Sequence, residues 1–369
     1  MRVILMGTGP FAVPSFEQLR SEGIDIPVVI SRPEVAGGSR GGNSKKGPPP
    51  SPVRLWAQSH NLPTAAPESI NTEESIAWLR KMDADLLFVC DYGQILSKSC
   101  LSAAKLGGIN LHGSLLPKHR GAAPVQWSVL AGDSKTGATI IHMTPGLDAG
   151  PVLSTVECPI DPHENAQDLE QRLSELGRFA TKASLEILGK WDPATPSPGT
   201  VQDPGLATKA PRLHRQDGRF DSRYSCKLID QQIRGLQPWP GVFANILMSS
   251  GSSLRLIVQR ATPLQEVSLD RTTDEIGELL FGEKLKHYRS RWPALASVEL
   301  AIRVSDGWMA LETVQPAGKR SMSGADFARG YAKMDWMRVE STEEPHPLLE
   351  RMSRIDTASN LPTKMEPQQ

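Results

Sequence analysis

Along the first half of the chain, short all-apolar runs alternate with segments in which apolar residues recur every three or four positions. Val3 to Met6 is such a run; "GTGP" then turns the chain, and Pro14 suits the first turn of a helix to about Ser21. Pro27 to Ile30 reads as a second strand, whereas Ser31 to Ser51 is rich in Gly and Pro and has no apolar period. Thr72 can cap a helix to about Met82. "ADLLFVC" (Ala84 to Cys90) and "GGINLH" (Gly107 to His112) read as buried strands. Pro124 to Ala131 reads as a helix, "TGATIIHM" (Thr136 to Met143) as a strand, and Gly150 to Cys158 as a continuation of the sheet. Glu164 to Leu188 predicts a long amphipathic helix, with leucines at 169, 173, 176, 185 and 188. Alternation of the two periods predicts an α/β domain over residues 1–190, with a doubly wound, mostly parallel sheet of Rossmann-like type.

The pattern then changes. "WDPATPSPGTVQDPG" carries four prolines and two glycines and no apolar period, so residues 191–206 are expected to be a linker. Short strand-like runs such as "FANILM", "LRLIVQRA" and "LAIRVSDGWMALETV" follow, predicting a small OB-like β-barrel over 207–337. Residues 338–369 are polar and are expected to form a disordered tail.

Composition adds limits. A chain of 369 residues with 39% apolar residues suits two domains, each with its own core. No run approaches the ~18 apolar residues of a membrane helix, and "MRVILMGTGPF" lacks the features of a signal peptide. The four cysteines (90, 100, 158 and 226) form no C-x-x-C pair and no zinc spacing, which predicts reduced thiols, a cytoplasmic location and no structural metal. Basic and acidic residues balance at 41 each, but not locally. Gly205 to Arg260 holds nine Lys or Arg against three Asp, a net of +6, and Ser31 to Arg54 holds five against Glu34, a net of +4. Two basic regions suit a phosphate-bearing macromolecule, although on charge alone solvated surface is the commoner reading.

The stretch "INLHGSLLPKHRGAAPVQW" carries the candidate chemistry. Residues two apart on a strand share a face, so Asn110 and His112 point the same way, His112 at the strand's C-terminal end. Ligands of open α/β sheets bind beyond such ends. Asp148, in "GLDAGP", follows a candidate neighbouring strand; if the two strands lie together, the three side chains converge. They suit acyl transfer. Asn110 offers an N–H to a developing oxyanion, worth about 2.7–4 kcal/mol. His112 can donate to that oxygen or move a proton, worth ~10²–10⁴-fold. Asp148 can orient the histidine or take a proton through water. Ser114 has no base at an obvious spacing, so the nucleophile belongs to a substrate. Residue types alone leave a purely structural role open. "GTGPFA" mimics a dinucleotide-binding G-x-G-x-x-A, but Ser31 and Arg32 stand where the expected acid would be, which favours a plain strand-to-helix turn.

Several separated motifs — "MGTGPFAVPSFEQL", "SPVRLWAQ", "YGQIL", the stretch above, "GLDAGPVL", "IRGLQPWPG" and "VQPAGKRSMSGADFARG" — give the chain a resemblance to the methionyl-tRNA formyltransferase family over about Met1 to Arg338. The resemblance implies transfer of formyl from 10-formyltetrahydrofolate, a co-substrate, to the α-amine of initiator methionyl-tRNA, by a monomer without metal or prosthetic group. It implies the catalytic trio Asn110, His112 and Asp148. It also implies folate contact by Ser114, Leu115, Leu116 and Pro117, aided by backbone near Leu86 to Gln94. For tRNA it implies Arg40, Lys45 and Lys46 in the loop after the second strand, then Arg212, Arg215 and Lys319. Three positions depart from the family's pattern: the extra Gly and Pro of "GGSRGGNSKKGPPP", Asp91 where a small residue is usual, and Asp221-Ser222 in place of Asp-Trp. The rivals are formyltransferases acting on glycinamide ribonucleotide or an amino sugar, a formylfolate hydrolase, and a non-catalytic RNA-binding protein.

Overall fold

Val3–Met6 has no polar side chain to offer water, so it forms a strand covered on both faces. In the computed structural model, which describes residues 1–34, 49–264, 275–289, 293–340 and 343–359, it lies in the fully buried β1 (Val3–Gly7). The chain continues through α1 (Val13–Ser21), β2 (Val29–Ile30), α2 (Pro52–Ser59), β3 (Thr64–Ala65), α3 (Glu73–Lys81), β4 (Leu86–Cys90) and α4 (Lys98–Leu101). Next come β5 (Gly108–His112), β6 (Arg120–Gly121), α5 (Pro124–Leu130), β7 (Lys135–His142), β8 (Val152–Pro159) and α6 (Ala166–Leu188). Helix boundaries follow capping chemistry. Thr72 accepts the Ser75 N–H ahead of α3, with Glu73 and Glu74 in its first turn and Arg80 and Lys81 in its last. Ser51 and Pro52 open α2, a helix the apolar period alone does not predict.

The sheet order is β3-β2-β1-β4-β5-β7-β8. The pairs from β3 to β5 are parallel; β5–β7 and β7–β8 are antiparallel. This is the mostly parallel α/β sheet expected, with an antiparallel edge.

Two compact units emerge. One comprises Met1–Val125, Lys135–Ile160 and Asp168–Arg212; the other comprises Gln126–Ser134, Asp161–Gln167 and Leu213–Gln369. The first unit therefore runs past residue 190 and omits two short segments before it. It also contains β9 (Lys209–Ala210), which pairs with β6. The expected linker belongs here too and is folded. Thr200 and Val152 exchange two 2.8 Å backbone hydrogen bonds, and Gln202 is only 8% exposed. Its prolines exclude a helix, but the backbone finds partners along the β8 edge instead.

The second unit holds α7 (Cys226–Gly235), β10 (Val242–Met248), β11 (Ser253–Leu264), β12 (Leu279–Phe281), α8 (Gly282–Arg289) and β13 (Leu300–Arg303). They are followed by β14 (Trp308–Pro316), β15 (Met322–Ser323), α9 (Gly324–Gly330), β16 (Met337–Val339) and α10 (Pro347–Ser359). The strand order is β12-β13-β14-β11-β10-β16, with β15 on β14, and every pair is antiparallel. An isolated bridge between Glu278 and Arg338 links the two outer strands, so the barrel is nearly closed. Val242, Ala244 and Ile246 alternate inward along β10, and Leu280, Leu295, Ala301 and Trp308 fill one end of the core.

The expected disordered tail needs correction up to Ser359. Leu348, Leu349 and Met352 share one face of α10 and are buried, while Glu350 accepts the Tyr224 hydroxyl at 2.7 Å and Asp356 pairs with Lys227. Apolar spacing, not overall polarity, decides whether such a segment folds. Residues 360–369 lie outside the described residues.

Candidate active site

β5 carries Asn110 and His112 on one face, as its two-residue period requires. Asn110 is half-buried, and among the described residues no side-chain or backbone group takes its amide. His112 is 5% exposed, and its Nε2 lies 2.9 Å from the His119 carbonyl oxygen. A carbonyl can only accept, so Nε2 carries the hydrogen and Nδ1 is left with a lone pair. Nδ1 stands 3.8 Å from the Asp148 carboxylate. That is too long for a direct hydrogen bond but suits a proton arriving between the two.

Sequence logic set Asp148 beside His112 through neighbouring strands, and the geometry that does so differs. β5 and β7 are neighbours, but antiparallel, with His142 opposite Ile109 and Thr139 opposite His112. The end of β7 therefore lies at the start of β5, and residues 143–151 must return toward His112 to deliver the carboxylate. Asp148 itself adopts a left-handed φ of 48° and accepts the Gly121 N–H at 2.9 Å. Gly121 must be glycine: its φ is 136°, and a Cβ there would lie 2.3 Å from the Ala210 carbonyl oxygen.

The loop after His112 is fixed by short-range bonds. Ser114 Oγ donates to the Lys118 carbonyl at 2.7 Å, and Thr139 Oγ1 donates to the Ser114 carbonyl at 2.7 Å while accepting the Leu116 N–H at 3.3 Å. The Leu116–Pro117 peptide is cis. Gly137 on β7 leaves room for Leu115, whose methyl would stand 2.6 Å from any Cβ there. Ser114 is buried, and Leu115, Leu116 and Pro117 are half-buried, an apolar loop that follows the strand end bearing His112.

Asp91 sits at φ 49°, its carbonyl accepts the Thr8 N–H at 3.0 Å, and its carboxyl lies against Gly9. Although the residue as a whole is exposed, burial of the carboxyl pushes its pKa up, partly offset by the Gly9 N–H. Glu170 on α6 is likewise raised, by burial first and then by the charge of Asp91. The departure at Asp91 is therefore a packing contact with the first βα turn.

Sequence reasoning missed several residues. Gln202, Thr208 and Gly121 bond to the segments that carry His112 or Asp148, and Arg120 bonds to Gln202. Among the tRNA candidates, Arg40, Lys45 and Lys46 lie outside the described residues. Arg212 and Arg215 are exposed but precede the barrel strands, and exposed Lys319 has its Nζ 5.5 Å from the Tyr331 ring centre. Among the described residues there is no group of three metal-ligating side chains, and no helix is long and apolar enough to cross a membrane.

Comparison with known proteins matches this architecture in two pieces. Residues 1–183 match the family model described as "Formyl transferase", and 212–332 match "Formyl transferase, C-terminal domain". The chain is 44% identical over 338 residues to a methionyl-tRNA formyltransferase of Rhodopirellula baltica, covering 90% of this chain and 94% of that protein. It is 34% identical over 331 residues to the enzyme of that name from Geotalea uraniireducens, covering 90% and 95%. In fold it is similar to HypX from Aquifex aeolicus, solved with tetrahydrofolic acid, at TM-score 0.57 and 13% identity over 90% of this chain. The chain spans 48% of HypX. It is also similar to the sugar 3N-formyltransferase WlaRD, at TM-score 0.54 and 15% identity over 87% of this chain and 99% of that one. Identity at this level over nearly the full length of both chains, with both domain models matched in order, is more than a shared fold requires: the chain belongs to the methionyl-tRNA formyltransferase family.

Proposed function

We propose that the chain transfers the formyl group of 10-formyltetrahydrofolate to the α-amine of initiator methionyl-tRNA. The observation that carries this is the His112 ring, held through Nε2–H by the His119 carbonyl so that its Nδ1 lone pair faces Asp148 at 3.8 Å, on the same strand face as the open Asn110 amide. An oxyanion donor and a proton acceptor thus share one strand, and no protein nucleophile is needed.

The α-amine is the nucleophile. Peptide α-amines titrate near ~7.7–8.0, and an aminoacyl ester's lies lower, so neutral amine is already abundant at neutral pH. Its lone pair attacks the formyl carbon, and the carbonyl oxygen becomes an oxyanion to which Asn110 donates an N–H. The nitrogen sheds one proton to His112 Nδ1, and the imidazolium formed faces the Asp148 carboxylate. The bond between the formyl carbon and N10 then breaks. N10 takes the proton, giving tetrahydrofolate and N-formylmethionyl-tRNA. Asp148 sets its negative charge opposite the positive ring formed in that step.

Ser114, Leu115, Leu116 and Pro117 are assigned to the folate, since a loop fixed by Thr139 is pre-organised for a flat ligand. Arg212, Arg215 and Lys319 are assigned, with Arg40, Lys45 and Lys46, to tRNA phosphates. The protein is taken to act as a cytoplasmic monomer with no resident cofactor.

The deciding experiment incubates the protein with 10-formyltetrahydrofolate and charged initiator tRNA and measures formylmethionine released from the tRNA. Glycinamide ribonucleotide, an amino-sugar nucleotide and buffer alone run in parallel. Rapid formylation of the tRNA only is expected; formylation of a small amine, or folate deformylation without tRNA, would replace this reading.

A further inference from the structure

We propose that Gln202 is a positioning residue for this reaction: it fixes Asp148 against His112 from a segment that composition marks as a linker. The inference rests on the formyl-transfer reading for its kinetic consequence, but its structural content stands apart from it.

Gln202 spends its amide completely. Nε2 donates to the Asp148 carbonyl at 2.9 Å and to the Gly150 carbonyl at 2.7 Å. Oε1 accepts from Arg120 Nε at 3.1 Å and Nη2 at 2.6 Å. One side chain therefore ties the loop that bears the catalytic carboxylate to the strand that bears Arg120. The neighbouring residues repeat the pattern. Thr208 Oγ1 accepts the His119 N–H at 2.8 Å, and the Thr208 carbonyl accepts the Arg120 N–H at 2.8 Å. β9 then pairs with β6 through Arg120–Lys209 and Gly121–Ala210.

These bonds fall where the backbone needs them. Asp148 at φ 48° and His119 at φ 60° hold left-handed conformations, which side-chain-bearing residues adopt uncommonly and which neighbouring bonds must hold in place. His119 supplies the carbonyl that sets the His112 tautomer, and Gly121 supplies the N–H that holds the Asp148 carboxylate. Loosening the 200–210 segment should therefore let the carboxylate drift from the ring without touching either substrate directly. A misplacement of about 1 Å at such a distance from the chemistry can cost ~10²-fold.

Two variants separate positioning from packing. Gln202→Ala removes all four bonds. Gln202→Glu keeps the volume and an acceptor for Arg120 but sets an oxygen against the Asp148 and Gly150 carbonyls. Both should lower kcat about ten- to a hundredfold, with KM for each substrate within about twofold. Amide hydrogen exchange should quicken at 119–121 and 146–150 and stay unchanged along β1, β4 and β5. An unchanged kcat, or a raised KM at constant kcat, overturns the proposal. So does unchanged exchange in both segments, even in a preparation that formylates no tRNA. Absence of wild-type formylation would instead refute the functional reading, leaving the exchange result to decide the role of Gln202.

Discussion

Among the described residues, the second unit places every left-handed backbone position on a glycine: Gly132, Gly241, Gly251, Gly277, Gly282 and Gly318. The first unit places five on residues with side chains: Asn61, Asp83, Asp91, His119 and Asp148. Asn61 and Asp83 follow the C-terminal ends of α2 and α3, where a left-handed residue closes the last turn. The other three border the βα turn and the His112 corner. Asn, Asp and His enter this region more readily than other side-chain-bearing residues, so the first unit places short polar side chains where the second uses only glycine. The barrel relies on strand register and apolar packing. The corner relies on directed hydrogen bonds to backbone groups, because it must hold polar atoms at a set separation rather than exclude water.

The contrast can be broken most forcefully at His112. His112→Ala should lower formylation about 10²–10⁴-fold while tRNA affinity, read by filter binding, stays unchanged; a matching loss of affinity would erase the distinction between chemistry and scaffold. In the second unit the opposite should hold. Leu349 is fully buried on α10, so Leu349→Ala should cost about 2–5 kcal/mol of stability in a denaturant titration, with kcat unchanged well below the transition. A fall in kcat without loss of stability would mean that α10 belongs to the site. The smallest effect is expected at His346, which is fully buried just before α10 and whose pKa is depressed, by burial first and then by Arg219, against the opposing pull of Asp221 and Asp217. The folded protein holds this ring neutral while the unfolded chain protonates it near ~6.5. Its contribution is therefore complete above that value and is lost as pH falls through the depressed folded value. The denaturation midpoint of the wild type should drop further between about pH 7.5 and about pH 5.5 than that of His346→Asn; equal drops would remove His346 from the account.

Much of the α/β unit is legible in its apolar periods. The runs at Val3, Leu86 and Ile109 can only be buried strands, and Thr72 marks the start of α3 because its hydroxyl has an orphan N–H to satisfy. Asn110 and His112 share a face by strand geometry alone. Asp148 was reachable only as a candidate, since period and spacing do not tell an antiparallel neighbour from a parallel one, and the loop's return depends on bonds from residue 202. That residue was invisible because prolines break periodicity whether a segment dangles or packs. α10 has a helical period at Leu348, Leu349, Met352 and Ile355, masked by the polar residues between them.

The bridge between Glu278 and Arg338 has one partner, Arg338, beyond residue 332, where the match to the C-terminal family model stops. A protein trimmed to that match would lack both α10 and β16, and the loss of β16 would leave two raw strand edges, on β10 and on β12, each offering a ladder of unsatisfied amides to any passing chain. Colloidal behaviour would expose the missing seam: the shortened chain should self-associate while the residues around His112 and Asp148 stay in place.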